Sequence, residues 1–110
     1  MRLHSNGAKI HNNLGIVCKK IGRYEDAVSQ YKKALAIDPD YAGAHYNLGF
    51  IYGSKGFFPL AADHFYRAGL LFLKKGDGRG ALKAFESLKR TKSKELEETL
   101  FEKLYFQKVV

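Results

Sequence analysis

A single cysteine, Cys18, stands in 110 residues. No intramolecular disulfide can therefore staple the chain, and a reducing compartment suits it. Long apolar runs are missing as well. The best of them, Gly69 to Leu73, falls far short of the ~18 residues a membrane span requires. No basic-then-apolar stretch opens the chain in the manner of a secretory leader, so a cytoplasmic location is the expectation. There is no catalytic constellation either. His4 and His64 lack a metal-compatible partner at three- or four-residue spacing, which speaks against a zinc or iron site. Gly76-Asp77-Gly78-Arg79-Gly80 is rich enough in glycine for a phosphate loop, but no strand precedes it and no Gly-Lys-Ser/Thr follows. Cys18 falls at a core position of the first expected helix and reads as an inert buried thiol. These absences point to a protein that is not an enzyme and needs no cofactor or metal.

What is present is an ordinary soluble composition, 45% hydrophobic and 27% charged. A chain of this length hides roughly 60–70% of its unfolded surface, enough for one continuous core, and residues 1–110 read as one domain. The formal charge of +8 favours an anionic partner: an acidic peptide, a nucleic acid or an anionic surface. Much of that charge sits in Lys19-Lys20, Lys74-Lys75 and Lys89-Arg90, where helices are expected to end. Cations there complement the helix dipole, so nucleic acid is not the expected partner.

The chain says one thing twice. His45-Tyr46-Asn47-Leu48-Gly49-Phe50-Ile51-Tyr52 echoes His11-Asn12-Asn13-Leu14-Gly15-Ile16-Val17-Cys18 at a step of 34 residues. Gly22 and Gly56, Ala27 and Ala61, Tyr31 and Phe65, and Ala34 and Ala68 keep the same step. A fixed period of this kind marks a helical repeat array. Apolar residues at three-and-four spacing predict helices over Asn6–Lys20, Tyr24–Ile37, Tyr41–Lys55, Pro59–Lys75, Arg79–Arg90 and Lys94–Lys108. Ser5 is the expected N-cap of the first. The predicted inner stripes run Ala8, His11, Leu14, Gly15, Cys18 on the first helix. They run Ala81, Leu82, Phe85, Leu88 on the fifth, and Leu96, Leu100, Phe101, Leu104, Tyr105 on the sixth. Gly22 and Gly56 stop helices, Pro39 ends another, and Pro59 suits a first helical position. Short connections make neighbours antiparallel.

Leu14-Gly15, Gly22, Ala27, Tyr31, Ala34 and Pro39, then Leu48-Gly49, Tyr52, Gly56, Ala61, Phe65 and Ala68, resemble the tetratricopeptide repeat. The resemblance implies an all-α, right-handed α-solenoid of about six helices in antiparallel helix–turn–helix units. Repeat one would span 8–41, repeat two 42–75, and a partial or degenerate repeat with a closing helix 76–110. Past residue 75 a step of 20 fits better than 34: Gly49 is answered by Gly69, Tyr52 by Phe72, Gly56 by Gly76 and Phe65 by Phe85. The fourth helix thus reads both as the end of one repeat and as the start of another.

By the same resemblance the first helices of successive repeats line a concave groove that holds a peptide. Lys9, Asn12, Asn13, Ile16, Lys19 and Lys20 would line it from the first helix, and Tyr46, Asn47, Phe50 and Ser54 from the third. If the fourth helix counts as a first helix, Tyr66, Arg67 and Leu70 join them. Asn13 and Asn47 can satisfy an extended backbone, Lys9, Lys20 and Arg67 can hold carboxylates, and Tyr46 and Phe50 offer apolar anchors. The implied function is a non-enzymatic adaptor for a protein or peptide, acidic by the charge. One subclass clamps a terminal carboxylate with Lys and Asn on its first helix; Asn12 and Ile16 stand at those positions here and argue against it. Two alternatives remain: a self-assembling homo-oligomer, formed by helix exchange or through Phe57-Phe58 and the tail Tyr105-Phe106 with Val109-Val110, or a basic helical protein binding nucleic acid or an anionic surface.

Overall fold

The computed structural model describes residues 5–109, with side chains for 6–106. His4 and the Val109-Val110 side chains, singled out above, lie outside that description. Six helices follow one another: α1 Ser5–Lys20, α2 Tyr24–Ile37, α3 Ala42–Ser54, α4 Phe58–Lys74, α5 Gly78–Arg90 and α6 Lys94–Val109. They match the expected spans to within one residue at each end. Ser5 belongs to α1 itself. The helices form a slab of 39 × 37 × 18 Å, two layers thick, with each helix packed against its successor.

Local chemistry sets the ends. Glu25 and Asp26 occupy the first turn of α2, where negative charge meets the exposed N–H groups. Asp77 caps α5 by accepting a 2.9 Å bond from the Gly80 N–H. Lys19 and Lys20 close α1, and Lys89 and Arg90 close α5. After α1, α3 and α4 the chain turns through a left-handed glycine: Gly22 and Gly56 at φ +85° and Gly76 at +78°. In each case the following N–H reaches back to the helix, from Arg23 to Cys18, Phe57 to Tyr52 and Asp77 to Phe72, at 2.8–2.9 Å. The α5–α6 turn places Lys92 in that same conformation at φ 62°. Only the α2–α3 link differs. There Asp38, Pro39 and Asp40 form an Asx turn in which the Asp40 N–H donates to the Asp38 carboxylate at 3.1 Å.

Close approach of the helices depends on glycine facing an aromatic ring. A Cβ on Gly15 would lie 2.5 Å from the Tyr31 ring, and one on Gly49 would lie 2.8 Å from Phe65. These equivalent contacts lock α1 to α2 and α3 to α4. Ala27, Ala34, Ala44, Leu48 and Ile51 join Tyr31 in a core shared by the first three helices. A second core gathers Ala61, Ala62, Phe65, Leu88 and Leu100 from the last three. Half-buried Tyr52 touches both.

The doubled reading of the fourth helix has a physical counterpart. α4 packs on α3, on α5 and on α6, so its Leu70 to Leu73 stretch is half-buried on every side. The step-of-20 pairing holds at the turn, where Gly76 repeats Gly56, and fails in the core. Gly69 receives Leu100 of α6, whose Cδ2 is 2.7 Å from the added Cβ, instead of Phe85. Four expected stripe residues face outward. Leu14, Leu82 and Phe101 are all exposed, because no helix among the described residues covers those sides of α1, α5 and α6. Tyr105 joins them.

Two substitutions on neighbouring turns of α3 should act in opposite directions. Gly49→Ala drives a methyl into Phe65 and should destabilise by ~1–3 kcal/mol. Gly53→Ala meets only the Ala61 Cβ, at 3.6 Å, and should gain up to ~1 kcal/mol from helix propensity. Urea titration of both variants checks this; equal effects would refute the packing assignment. A third change exploits the repeat. The Tyr31 hydroxyl is buried with no hydrogen-bond partner, and burial, reinforced by Cys18, pushes its pKa up to about 12. Phe65 fills the equivalent place without a hydroxyl. Tyr31→Phe is therefore expected to raise stability by ~1 kcal/mol, since an unsatisfied buried hydroxyl is a net cost; thermal melts report it.

Candidate functional site

α1, α3 and α5 run in the same direction along one face of the slab, and their facing side chains build a groove. Between α1 and α3, the Asn47 amide donates to the Asn12 carbonyl oxygen at 3.1 Å. Asn12 is buried, and half-buried Ile16 packs on the first core beneath. One turn further, the Lys19 ammonium sits 4.3 Å from the centre of the Phe50 ring, an attraction between a cation and the negative face of an aromatic. Between α3 and α5, the Tyr46 hydroxyl and Ser87 Oγ lie 3.1 Å apart. The Tyr46 ring rests on Phe65, with 5.5 Å between centroids, and Lys83 lies 5.6 Å from it.

Tyr46 divides this second seam into two open hollows. One, of about 250 Å³, is lined by Phe50, Gly53, Phe58 and Phe65 together with Ser54, Ser87, Arg90 and Thr91. The other, of about 410 Å³, lies between Tyr46, Phe72, Gly80, Asp77, Arg79 and Lys83. An aromatic lining that also holds cations can take an apolar side chain while neutralising a nearby carboxylate. α1 and α5 each hold an excess of lysine and arginine, and α3 between them holds no Asp, Glu, Lys or Arg.

The groove expected from the sequence is therefore partly assembled. Asn12, Ile16, Tyr46, Asn47 and Phe50 meet along it, although Asn12 and Asn47 hold each other. Lys9, Asn13 and Lys20 are exposed on the flank of α1. Arg67 lies apart from these residues. It pairs with Asp63 one turn away at 3.0 Å and shares the surroundings of His64 with Lys32 of α2, so it faces the α2–α4 surface. Tyr66 and Leu70 pack into the second core. The reason is that α5, and not α4, takes the third place in the groove. Lys83, Ser87 and Arg90 were missed, and their four-and-three spacing was the available signal. A strict step obscured it because α4 has 17 residues where α2 has 14.

His64 also has a partner that spacing along the chain cannot show. His45 Nε2 lies 3.0 Å from the Pro39 carbonyl, which can only accept, so that nitrogen carries the proton. His45 Nδ1 then accepts from His64 Nδ1 at 3.2 Å. In repeat one the equivalent pair is joined with the proton running the other way: His11 Nδ1 donates to Gln30 Oε1 at 2.7 Å, and Gln30 is the equivalent of His64. Burial, then the neighbouring His45, lowers the His64 pKa from 6.5 to about 4. Asp63 opposes this shift, Arg67 and Lys32 add to it, and the Tyr52 ring stacks alongside.

A family model described as the TPR repeat matches residues 17–56. The cell division cycle protein 16 homolog of Homo sapiens is 37% identical over 57 residues, 52% of this chain and 9% of that protein. The probable UDP-N-acetylglucosamine–peptide N-acetylglucosaminyltransferase SPINDLY of Hordeum vulgare is 36% identical over 63 residues, 57% of this chain and 7% of that protein. The chain thus spans under a tenth of the length of these relatives. Among solved structures, the N-terminal domain of stress-induced protein-1 from C. elegans superposes with a TM-score of 0.80 at 19% identity. That match covers 96% of this chain and 87% of the other.

The His45–His64 pair predicts an acid-sensitive fold. A histidine held below its unfolded pKa resists protonation while the unfolded chain accepts it. Its stabilising effect is complete above about pH 6.5 and drains away as pH falls toward 4. His64→Gln can donate its amide N–H to His45 Nδ1 while removing the titrating imidazole, and should flatten stability across that window. Melting temperatures read every half pH unit test this; an unchanged slope in the variant would assign the effect elsewhere.

Proposed function

This chain is a tetratricopeptide-repeat array, and from that premise we propose that it is a non-enzymatic adaptor that binds an acidic peptide segment along the α1–α3–α5 groove. The observation that carries the reading is the hollow lined by Phe50, Phe58, Phe65 and Arg90, with Lys19 braced on the same Phe50 ring. An apolar side chain of the peptide fills the hollow, and adjacent Asp or Glu residues meet Lys19 and Arg90. The aromatic lining supplies affinity, and the cations supply orientation and association rate. Because Asn12 and Asn47 bond to each other, they act as a brace between helices.

Calorimetric titration with an Asp/Glu-rich peptide carrying one Phe or Leu tests this against the same peptide with its acids changed to Lys. Only the acidic peptide is expected to bind. Arg90→Glu should weaken it by about tenfold or more, on the order of 1.4 kcal/mol. Arg67→Glu, on the α2–α4 surface, should leave affinity unchanged. Equal losses in the two variants would mean that bulk charge, and not the groove, holds the peptide. A nucleic-acid ligand would instead lose affinity steeply and linearly with the logarithm of salt concentration.

A further inference from the structure

The two ends of the slab are unfinished in complementary ways. At one end α1 presents Ile10, Leu14 and Val17, spaced one helical turn apart and 45–55% exposed. Their equivalents on α3, 34 residues on, are Ala44, Leu48 and Ile51, which are only 0–1% exposed. The difference is the covering helix: α3 lies against both α1 and α2, and among the described residues no preceding helix does the same for α1. At the other end α5 and α6 leave a groove of about 510 Å³. The Phe85 and Phe101 rings, 5.8 Å apart, line it together with Glu97, Glu98, Glu102 and Lys94, and Lys89 lies 5.5 Å from the Phe85 ring.

We propose that this groove is the seat for α1 of a second copy of the chain, so that copies stack end to end as α3 stacks on α1 and α2 within one copy. Charge selects this occupant. α1 carries three lysines and no acid, and its exposed Lys9 and Lys20 flank the aliphatic stripe. α6 places four glutamates, Glu95, Glu97, Glu98 and Glu102, in its first nine residues, within a chain of +8. Direction agrees as well. α6 precedes the next α1 in the stack with the antiparallel sense that α2 has toward α3. Its acidic start therefore faces the basic end of α1. The same arrangement already exists inside the molecule, where Glu25 in the first turn of α2 lies 3.6 Å from Lys55 just past the end of α3. Because the two surfaces differ, the contact is heterologous and leaves an open end at each step. It uses neither Lys19 nor Arg90, so it stands apart from the peptide groove.

Sedimentation velocity on the full chain over a concentration series up to the millimolar range tests the stack. The wild type should sediment progressively faster with concentration, and less so in high salt. Val17→Glu on α1 and Phe101→Lys on α6 should each sediment as a monomer. Mixed in equal amounts they should form a dimer that does not grow, because each retains one intact surface. If Phe101→Lys loosens α6, as a lowered melting temperature would show, Glu98→Lys/Glu102→Lys replaces it with the fold preserved. A wild type that stays monomeric throughout overturns the proposal. So does an α6 variant that still self-associates, which would mean that α1 pairs with α1. Either failure leaves the peptide titration above unaffected, and loss of peptide binding in Arg90→Glu leaves the stack unaffected.

Discussion

Contact between a glycine and an aromatic ring, made once in each of the first two helix pairs, is the constraint from which the rest of the molecule follows. With no side chain at Gly15, the Tyr31 ring can lie against the backbone of α1; Gly49 and Phe65 repeat this in α3 and α4. That approach fixes the spacing within each pair. The alanines at Ala27, Ala34, Ala44 and Ala61, all 0% exposed, then allow the pairs to close on one another. Large side chains would separate the helices, and small ones alone would leave voids. Alternating the two fills the interior at the density cores require. Once the pairs are set, α1 and α3 must lie side by side, and the residues on their shared face have nowhere to go but the groove.

α4 shows how a repeat adapts where the pattern changes. It is three residues longer than α2 and ends in the tight glycine turn used within repeats, whereas the Asp38-Pro39 link is used between them. As a result α5 folds back closely on α4, and α6 can reach Gly69 through Leu100. One helix thereby serves three neighbours. The cost is that Leu82 and Phe101, which a regular stripe would bury, are left on the surface. Their exposure is a consequence of geometry, and it leaves the far end of the slab apolar and acidic while the near end is apolar and basic.

The polar contacts follow the repeat more faithfully than the later helices do. His11 with Gln30 and His45 with His64 are bonds at equivalent places in the two repeats, His11 donating in the first and His45 accepting in the second. The substitution of a second imidazole for an amide converts a neutral hydrogen bond into one that a proton can break. The Tyr31 hydroxyl is the inverse case: a polar group in one repeat where the other has none, and without a partner.

The sequence alone determined the secondary structure and the architecture, because both rest on short-range rules. Three-and-four spacing marks buried faces, glycine with positive φ marks turns, Pro39 marks the one different link, and a 34-residue echo marks stacking. It also put Asn12, Ile16, Tyr46, Asn47 and Phe50 on faces of α1 and α3 that periodicity alone defines. What only the tertiary structure decided are relations between segments whose spacing departs from the repeat. That α5 rather than α4 completes the groove, that Arg67 lies on the opposite surface, that His64 bonds His45, and that Leu14 is bare while Leu48 is buried all depend on which helix lies across from which. A side chain's face is written in its own helix; its neighbour is chosen by the length and turn of every helix between them.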